Sequence, residues 1–343
     1  VRTDRLGCET VLVQAQWGLL AAAALGALSI PLLEGTAQVL LLLGSTLMVG
    51  IAGAFELTAR NKYCSLLVEE PQELAGYLTS FSVVFNVGKL VGPPIGGWLV
   101  AVAGPAWALG IDAASYLLPI ASVMFFLQPR RDLEQRSRGD GDATLLKAWK
   151  DCGSTLQGVL TLTAVLCVVN FFHPGLAPLI ADQVLGPDPR DLGLFTSVLA
   201  AGSIAGGIVL QRCSARFSRR PFLTLGGFGL ITAIAQLGMA GSSSVGVSLS
   251  MAFAIGAGTA GLLSSCNLIT QIGAPQVMRG RMAGLSQIAF LGGGGISGLL
   301  AALLVMATSL SATFALTGGI GTVLALLWIR RRGGTVLEPL RSA

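Results

Sequence analysis

Blocks of about 20 consecutive apolar residues recur along the whole of this 343-residue chain, and they constrain its fold more than any other feature. A helix of this length crosses a hydrocarbon core of about 30 Å. Only 11% of the residues are charged, against roughly a quarter in a soluble domain, so polar side chains cannot cover a water-exposed surface. The sequence therefore predicts an all-α membrane protein, and it excludes a soluble enzyme, a secreted disulfide scaffold and a nucleic-acid-binding protein.

Ten apolar blocks are long enough to form membrane-spanning helices. Short segments that carry Gly, Pro, Ser or charged residues separate them, as is typical of turns between helices. The predicted spans are residues 10–30, 37–59, 76–101, 105–127, 154–181, 193–211, 222–240, 246–269, 283–307 and 311–329.

The positions of Lys and Arg indicate the orientation, because cytoplasmic loops of membrane proteins accumulate basic residues. With the N terminus in the cytoplasm, the inside segments hold 20 of the 22 basic residues, leaving only Lys89 and Arg190. These segments are residues 1–9, 60–75, 128–153, 212–221, 270–282 and 330–343. We therefore expect a multi-pass protein of the plasma (inner) membrane, with both termini in the cytoplasm.

The longest hydrophilic stretch, residues 128–153, divides the spans into four and six. Its mixed charge with Gly and Ser predicts a solvated cytoplasmic linker. A weak repeat crosses it, since the Gly92-xxx-Gly96 spacing has a counterpart at Gly294 and Gly298. Parallel repeats joined by a central loop are typical of two-bundle transporters. The predicted domains are a four-span N-terminal bundle, a linker, a six-helix C-terminal bundle and a cytoplasmic tail, at residues 1–127, 128–153, 154–330 and 331–343.

The most specific motif lies in the third predicted span. Residues Gly88 to Gly97 have the sequence GKLVGPPIGG, which fits GxxxGPxxGG. Glycines four residues apart let two helix backbones approach closely, and prolines remove backbone donors and bend a helix. We expect a helix-packing and gating segment, for which a purely structural packing helix is the alternative. Its motif positions are Gly88, Gly92, Pro93, Gly96 and Gly97.

This segment resembles the fifth-helix antiporter motif of the major facilitator superfamily. Asn86 and Lys89 are similar to the Asn-x-x-Arg-x-x-Gly-Pro pattern of the exporter branch that contains enterobactin and macrolide efflux proteins, with Lys in place of Arg. Arg279, Gly280 and Arg281 resemble the Arg-Gly-Arg loop before the eleventh helix of that family. The resemblance covers nearly the whole chain and implies a two-bundle fold with a midplane cavity.

The N terminus departs from the family pattern. Asp4, Arg5 and Gly7 match the loop that follows the second helix of the family, whereas Cys8 and Glu9 replace its basic pair. The resemblance therefore implies about ten transmembrane helices of a twelve-helix plan, with the first two lacking.

Charged residues inside spans are candidates for function, because each costs at least about 2.5–3.5 kcal/mol at a helix centre unless it is paired or hydrated. Lys89 and Asp112 lie at similar predicted depths in neighbouring spans. Asp112 also replaces the Asn of the family's Asn-Ala-x-Ser-Phe pattern. We expect an ion pair between them; the alternative is that Lys89 faces the cavity alone. Glu56 and Arg60, four residues apart, are expected to pair at the membrane edge.

Polar residues in the second half are further candidates for the substrate or ion pathway. His173 is the only histidine and follows Asn170 in Asn-Phe-Phe-His-Pro-Gly, where the proline frees backbone carbonyls. A structural histidine is the alternative. Asn267 and Gln271 are candidate hydrogen-bonding residues of the cavity, with interhelical bonding as the alternative.

Nucleotide and cofactor sites are not expected. Gly256-Ala-Gly-Thr-Ala-Gly261 fits GxGxxG, but no strand precedes it, so we interpret it as a small-residue helix face. The chain contains no GxxxxGK[ST] sequence, and its six cysteines include no CxxC pair, so neither ATP nor a metal or other cofactor is predicted.

The predicted function is secondary active transport, with proton-coupled efflux of an amphipathic drug or siderophore by alternating access. The expected partners are membrane lipid, a small-molecule substrate and protons, without nucleic acid, and the expected state is a monomer. Two alternatives stand beside it. One is a truncated or degenerate membrane protein without transport activity; the other is a transporter of five-plus-five inverted repeats, which the linker position disfavours.

Overall fold

The computed structural model describes residues 8–67, 87–88, 90–126, 145–212, 219–274 and 279–336. All secondary structure within these residues is helical, and nine of the helical segments are long and apolar enough to span a membrane. This confirms the predicted all-α membrane fold. The third predicted span, residues 76–101, falls partly outside the described residues, and a shorter apolar helix occupies Leu90–Ala103.

The chain forms two compact units. The first comprises Val1–Gly88 and Ile95–Asp142, and the second comprises Lys89–Pro94 and Ala143–Ala343. The described helices up to residue 126 are α1 (Cys8–Leu32), α2 (Gly35–Leu67), α3 (Leu90–Ala103), α4 (Pro105–Ser115) and α5 (Leu117–Ala121), which a π-helical turn continues to Phe126.

Within the first unit, α1 packs along α2 and also against α4. Gly104 separates α3 from α4 with a φ of 85°, a left-handed conformation that glycine adopts without steric cost, and Pro105 then begins α4. Helix α2 continues to Leu67, beyond the predicted span end at residue 59. The extension occurs because residues 60–67 contain no Gly or Pro to end the helix.

Nine further α-helices lie in the described part of the second unit. They are α6 (Leu145–Asp151), α7 (Gly153–Asn170), α8 (His173–Val184), α9 (Pro189–Arg212), α10 (Pro221–Ala240), α11 (Val245–Gly273), α12 (Arg279–Gln287), α13 (Gly293–Ala307) and α14 (Leu310–Arg332). Helix α10 packs against both α11 and α14, and α9 packs against α11. Large apolar side chains that are fully buried, such as Leu162, Leu225 and Ile269, form its core.

The end of the predicted linker differs from the expectation. Helix α6 lies inside residues 128–153, and both Ala148 and Cys152 are buried. Trp149 also packs against the core of the second unit. These apolar contacts explain why this part of the segment is ordered as a helix rather than solvated. The remaining domain boundaries stay predictions.

The predicted small-residue face of α11 is confirmed. A Cβ added at Gly256 would overlap the Leu199 carbonyl of α9, and one at Gly258 would lie 2.8 Å from the Phe228 carbonyl of α10. A Cβ at Gly261 would overlap the Phe228 ring. The GxGxxG sequence therefore brings α11 close to two neighbouring helices by removing side chains from both contacts.

Candidate functional site

The fifth predicted span, residues 154–181, is broken in the structure. Helix α7 ends at Asn170, and α8 begins at His173 after the two-residue break at Phe171 and Phe172. Pro174 explains the break, because it has no N–H to donate to the carbonyl of the residue four positions earlier. That residue is Asn170, so the backbone leaves one carbonyl without its helical donor inside the span.

A side chain from another helix replaces the missing donor. Nε2 of Gln236, on α10, donates to the Asn170 carbonyl oxygen at 2.8 Å. Gln236 is 0% exposed and Asn170 is 3% exposed, so this bond is shielded from solvent within the second unit. An interhelical hydrogen bond of this kind is one way that membrane proteins satisfy a backbone group freed by proline.

His173 lies at the same break. The side chain is 5% exposed, and its ring meets that of Phe171 edge to face with 5.1 Å between centroids. Its Nδ1 has no hydrogen-bond partner among the described residues. The structure thus places the only histidine of the chain beside a polar pair, rather than in a wholly apolar core.

Other polar atoms at the break are also buried without partners in the described part of the chain. They are Oδ1 and Nδ2 of Asn170 and Oε1 of Gln236. A Cβ on Gly321 of α14 would lie 2.6 Å from Asn170 Nδ2, so only glycine leaves room for this amide. A buried polar group without a partner costs roughly 1–3 kcal/mol. The chemistry of these atoms suits water, a proton or a polar substrate group. We refer to Asn170, His173 and Gln236 as the polar cluster.

Asp112 is a predicted pathway residue that the structure describes within a span. It lies on α4, seven residues after the helix begins at Pro105, which is about 10 Å along the axis. Its side chain is exposed. Because an ionisable group is not stable against lipid at this depth, an exposed carboxyl in a span indicates contact with water or with a pairing group.

The expected partner of Asp112 lies outside the described residues. Lys89 is not described, so the predicted ion pair stays a prediction. The same holds for Asn86 and for the N-terminal loop residues Asp4, Arg5 and Gly7.

The glycine-rich motif of the third span has few close neighbours in the described structure. A Cβ at Gly88, Gly92 or Gly96 would meet no described atom within 4 Å. Pro93 does make a close approach within the second unit, where a Cβ on Gly193 of α9 would lie 2.7 Å from the Pro93 carbonyl. The described contacts thus involve the proline part of the motif, and a packing or gating role of Gly88, Gly92, Gly96 and Gly97 stays a prediction.

The remaining predicted residues lie on α11 and α12. Asn267 is half-buried, with an Oδ1 that has no partner in the described residues, whereas Gln271 is exposed near the end of α11. Arg279, Gly280 and Arg281 form the first turn of α12. The predicted Glu56–Arg60 pair is confirmed, with 3.1 Å between Glu56 Oε1 and Arg60 Nη1.

Gln236 is the member of the polar cluster that sequence analysis missed. It is the only Asn, Gln, His or charged residue of α10, within the otherwise apolar and small-residue sequence PFLTLGGFGLITAIAQLGMA. An isolated amide in such a helix is a usable signal, because it needs a hydrogen-bond partner inside the membrane.

A concave region lies in the first unit. It is a groove of about 310 Å³ between α1 and α2, and its wall is mostly apolar. Val11, Gly18, Met48, Ile51 and Phe55 contribute to the wall, and Gln14 adds an amide. Such a surface suits an amphipathic molecule or a lipid chain.

Apolar helices of spanning length, close glycine-mediated packing and a polar cluster at a broken span define a multi-pass helical membrane protein. The chain belongs to the Major Facilitator Superfamily, whose family model matches residues 2–297 and 159–341. Membership in this family of secondary transporters confirms the predicted resemblance and places the chain outside the enzymes.

Two curated relatives are exporters by name. The chain is 24% identical over 255 residues to the multidrug efflux pump Tap of Mycolicibacterium fortuitum, with 68% of the chain and 58% of Tap aligned. It is 28% identical over 269 residues to the enterobactin exporter EntS of Shigella flexneri, with 75% of the chain and 61% of EntS aligned. The chain therefore spans about three fifths of the length of these relatives.

Solved structures show the same fold. The chain aligns to a D-xylose-proton symporter with a TM-score of 0.72 and 15% identity, covering 95% of the chain and 81% of the symporter. It aligns to a bacterial homologue of the iron transporter ferroportin with a TM-score of 0.68 and 17% identity, covering 94% of the chain and 83% of the homologue. At these identities the likeness concerns the fold alone.

Proposed function

We propose that the chain is a secondary active transporter that exports an amphipathic small molecule, such as a drug or a siderophore, in exchange for protons. Family membership supports secondary transport. The relatives named as a multidrug efflux pump and an enterobactin exporter support outward movement of a small molecule. The apolar groove that carries Gln14 is compatible with an amphipathic substrate.

The observation that carries the proton-coupling part is the exposed carboxyl of Asp112 within a predicted membrane span. Protonation would neutralise this carboxyl and change the cost of exposing it to the low-dielectric part of the membrane. A charge change of this kind shifts the balance between two conformations that differ in access to water. Asp112 is thus the first candidate for the coupling site, with Lys89 as its proposed partner.

The polar cluster is the second candidate for the pathway. Nδ1 of the buried His173 has no partner among the described residues, and the side-chain amide oxygens of Asn170 and Gln236 are hydrogen-bond acceptors. Asn267, with its own unpartnered Oδ1, is a further candidate on α11. Asn86 and Gln271 stay proposals from the sequence pattern.

The proposed cycle is alternating access by two bundles that rock around a midplane site. Both termini would lie in the cytoplasm, as the distribution of basic residues predicts. The proposed location is the inner membrane, and the proposed state is a monomer.

Everted membrane vesicles that contain the 343-residue chain test this proposal. The interior is first acidified by respiration, and ethidium or enterobactin is then added outside. Export in exchange for protons predicts that the addition makes the interior more alkaline. Asp112→Asn is expected to lose most of this response, whereas the control Asp182→Asn, an exposed carboxyl near the end of α8, is expected to retain it.

The outcomes separate the parts of the proposal. Equal responses of the wild type and Asp112→Asn would refute the role of Asp112. No substrate-dependent pH change with either compound would refute proton-coupled export. Uptake of the compounds without a pH change would retain transport and exclude the proton as the coupling ion.

The proposed Lys89–Asp112 pair has its own test. Lys89→Ala and Asp112→Asn each leave one member without its counter-charge, so each single variant is expected to transport poorly. The double variant removes both charges and is expected to recover part of the downhill uptake of substrate, but not the proton exchange that depends on Asp112. A double variant no better than either single one would leave the coupling unsupported.

A further inference from the structure

Arginines from two helices meet at one end of the second unit. The contacts between Phe222 at the start of α10 and Trp328 at the end of α14, with 5.8 Å between ring centroids, show that these two ends lie together. The arginines at these ends are Arg219, Arg220, Arg330, Arg331 and Arg332, and all five are exposed. We call this group the basic end.

Arg332 differs from the other four because aromatic rings hold its guanidinium. Its Cζ lies 5.6 Å from the centroid of Phe222 and 5.5 Å from that of Trp328. Both distances are within the range of a cation–π contact. Phe222 is buried and Trp328 is half-buried, so the guanidinium is positioned by the protein core rather than free in solvent.

A glycine makes room for this guanidinium. A Cβ on Gly158 of α7 would lie 2.9 Å from Arg332 Nη1 and 2.9 Å from Phe222 Cζ. Any larger residue at position 158 would displace one of these two side chains. Helices α7, α10 and α14 therefore form a notch around Arg332.

The charge of the notch is not neutralised by the helices that form it. None of α7, α10 and α14 contains an Asp or Glu residue. The two rings contact the planar faces of the guanidinium, so its N–H donors, which lie in the plane of the group, stay available to a ligand. A planar donor fork matches two oxygens of one phosphate.

We propose that the basic end binds the headgroup of an anionic phospholipid, with the phosphate at Arg332. The notch lies where a membrane-spanning helix ends, which is the depth of the phosphate groups in a bilayer. Trp328 is of the residue type that membrane proteins place at this depth. Clusters of four or more arginines beside a span attract anionic lipid through charge complementarity.

Native mass spectrometry of the purified chain tests the proposal with phosphatidylglycerol as the probe and phosphatidylcholine as the zwitterionic comparison. The wild type is expected to retain phosphatidylglycerol preferentially. Arg332→Gln is expected to weaken this binding about fivefold to tenfold, because one guanidinium contact and its donor fork are lost. Arg332→Lys keeps the charge and the fold but has no donor fork, and its expected affinity lies between the two.

Arg190→Gln is the matched control. Arg190 is also exposed, but it lies 22 residues before Arg212 on α9, which places it at the opposite end of that helix, about 33 Å along the axis from Arg212. This variant loses the same charge and is expected to bind phosphatidylglycerol as the wild type does.

Three outcomes would overturn the proposal. The first is equal retention of the two lipids by the wild type, and the second is an equal loss of binding in Arg190→Gln and Arg332→Gln. The third is that inorganic phosphate, added in detergent without lipid, raises the melting temperature as much as phosphatidylglycerol does. That result would assign the notch to a free anion.

Discussion

Gln236→Leu is expected to destabilise the protein only while residue 174 is proline. Gln236 Nε2 donates to the Asn170 carbonyl at 2.8 Å, and Pro174 occupies the position whose N–H would otherwise bond to this carbonyl. With leucine at position 236 the buried carbonyl loses the side-chain donor that α10 supplies. Interhelical hydrogen bonds in membranes contribute about 0.6 kcal/mol on average and up to about 1.7 kcal/mol.

A double-mutant cycle isolates this contribution. Leucine also removes the buried Oε1 of Gln236, which has no described partner. The single substitution therefore loses a stabilising hydrogen bond and also removes the cost of an unpaired buried oxygen. Pro174→Ala supplies a backbone N–H to the Asn170 carbonyl, so in that background Gln236→Leu leaves no carbonyl unpaired. The effects of losing Oε1 and of changing the side-chain volume occur with either proline or alanine at position 174, so they cancel in the interaction energy that the cycle measures. The expected interaction energy is about 0.6–1.7 kcal/mol.

The assay is the free energy of unfolding in mixed micelles, obtained from titration with sodium dodecyl sulfate. It is measured for the wild type, Gln236→Leu, Pro174→Ala and the double variant. Thr232→Val is the control, because Thr232 is buried on the same helix but donates to Phe228 of its own helix at 3.2 Å. Its effect is expected to add to that of Pro174→Ala within about 0.5 kcal/mol. Equal additivity for Gln236→Leu would refute the assignment of Gln236 as the replacement donor.

Two further predictions concern packing and burial. A Cβ at Gly206 of α9 would overlap the Ala257 carbonyl of α11, whereas one at Gly207 would meet no described atom within 4 Å. The free energy of unfolding of Gly206→Ala is therefore expected to be about 1–3 kcal/mol lower than that of Gly207→Ala in the same titration. Equal free energies of unfolding would contradict the close helix contact. Cys152, Cys167 and Cys266 are buried, and burial raises the pKa of the Cys152 thiol, which disfavours the reactive thiolate. A chain that retains only these three cysteines is expected to react slowly with maleimide until detergent unfolds it; rapid labelling of the folded chain would show that they are accessible.

The sequence predicted the spanning helices because an apolar stretch of sufficient length is a local property. Helices α10 and α14 begin and end within a few residues of the predicted bounds. Predictions were less accurate where tertiary contacts decide the outcome. The part of the linker that forms α6 is helical because Ala148 and Cys152 are buried against the second unit, and this burial is invisible in a hydropathy profile.

The same division applies to the candidate site. Pro174 indicates from sequence alone that a carbonyl is freed near Asn170, but the residue that bonds to it, Gln236, lies 66 positions away. Likewise, the sequence identified GxGxxG as a small-residue face, whereas the partners of its glycines, Leu199 and Phe228, come from two other helices.

The sequence by itself determined that this chain is helical, that it spans a membrane several times and that its motifs resemble those of one transporter superfamily. These properties follow from the length of the apolar blocks, the few charges and the spacing of motif residues within single helices. Only the tertiary structure decided that Gln236 supplies the missing hydrogen-bond donor to the Asn170 carbonyl and that Arg332 contacts two aromatic rings. Both contacts join helices far apart in sequence, and their geometry depends on how closely those helices pack.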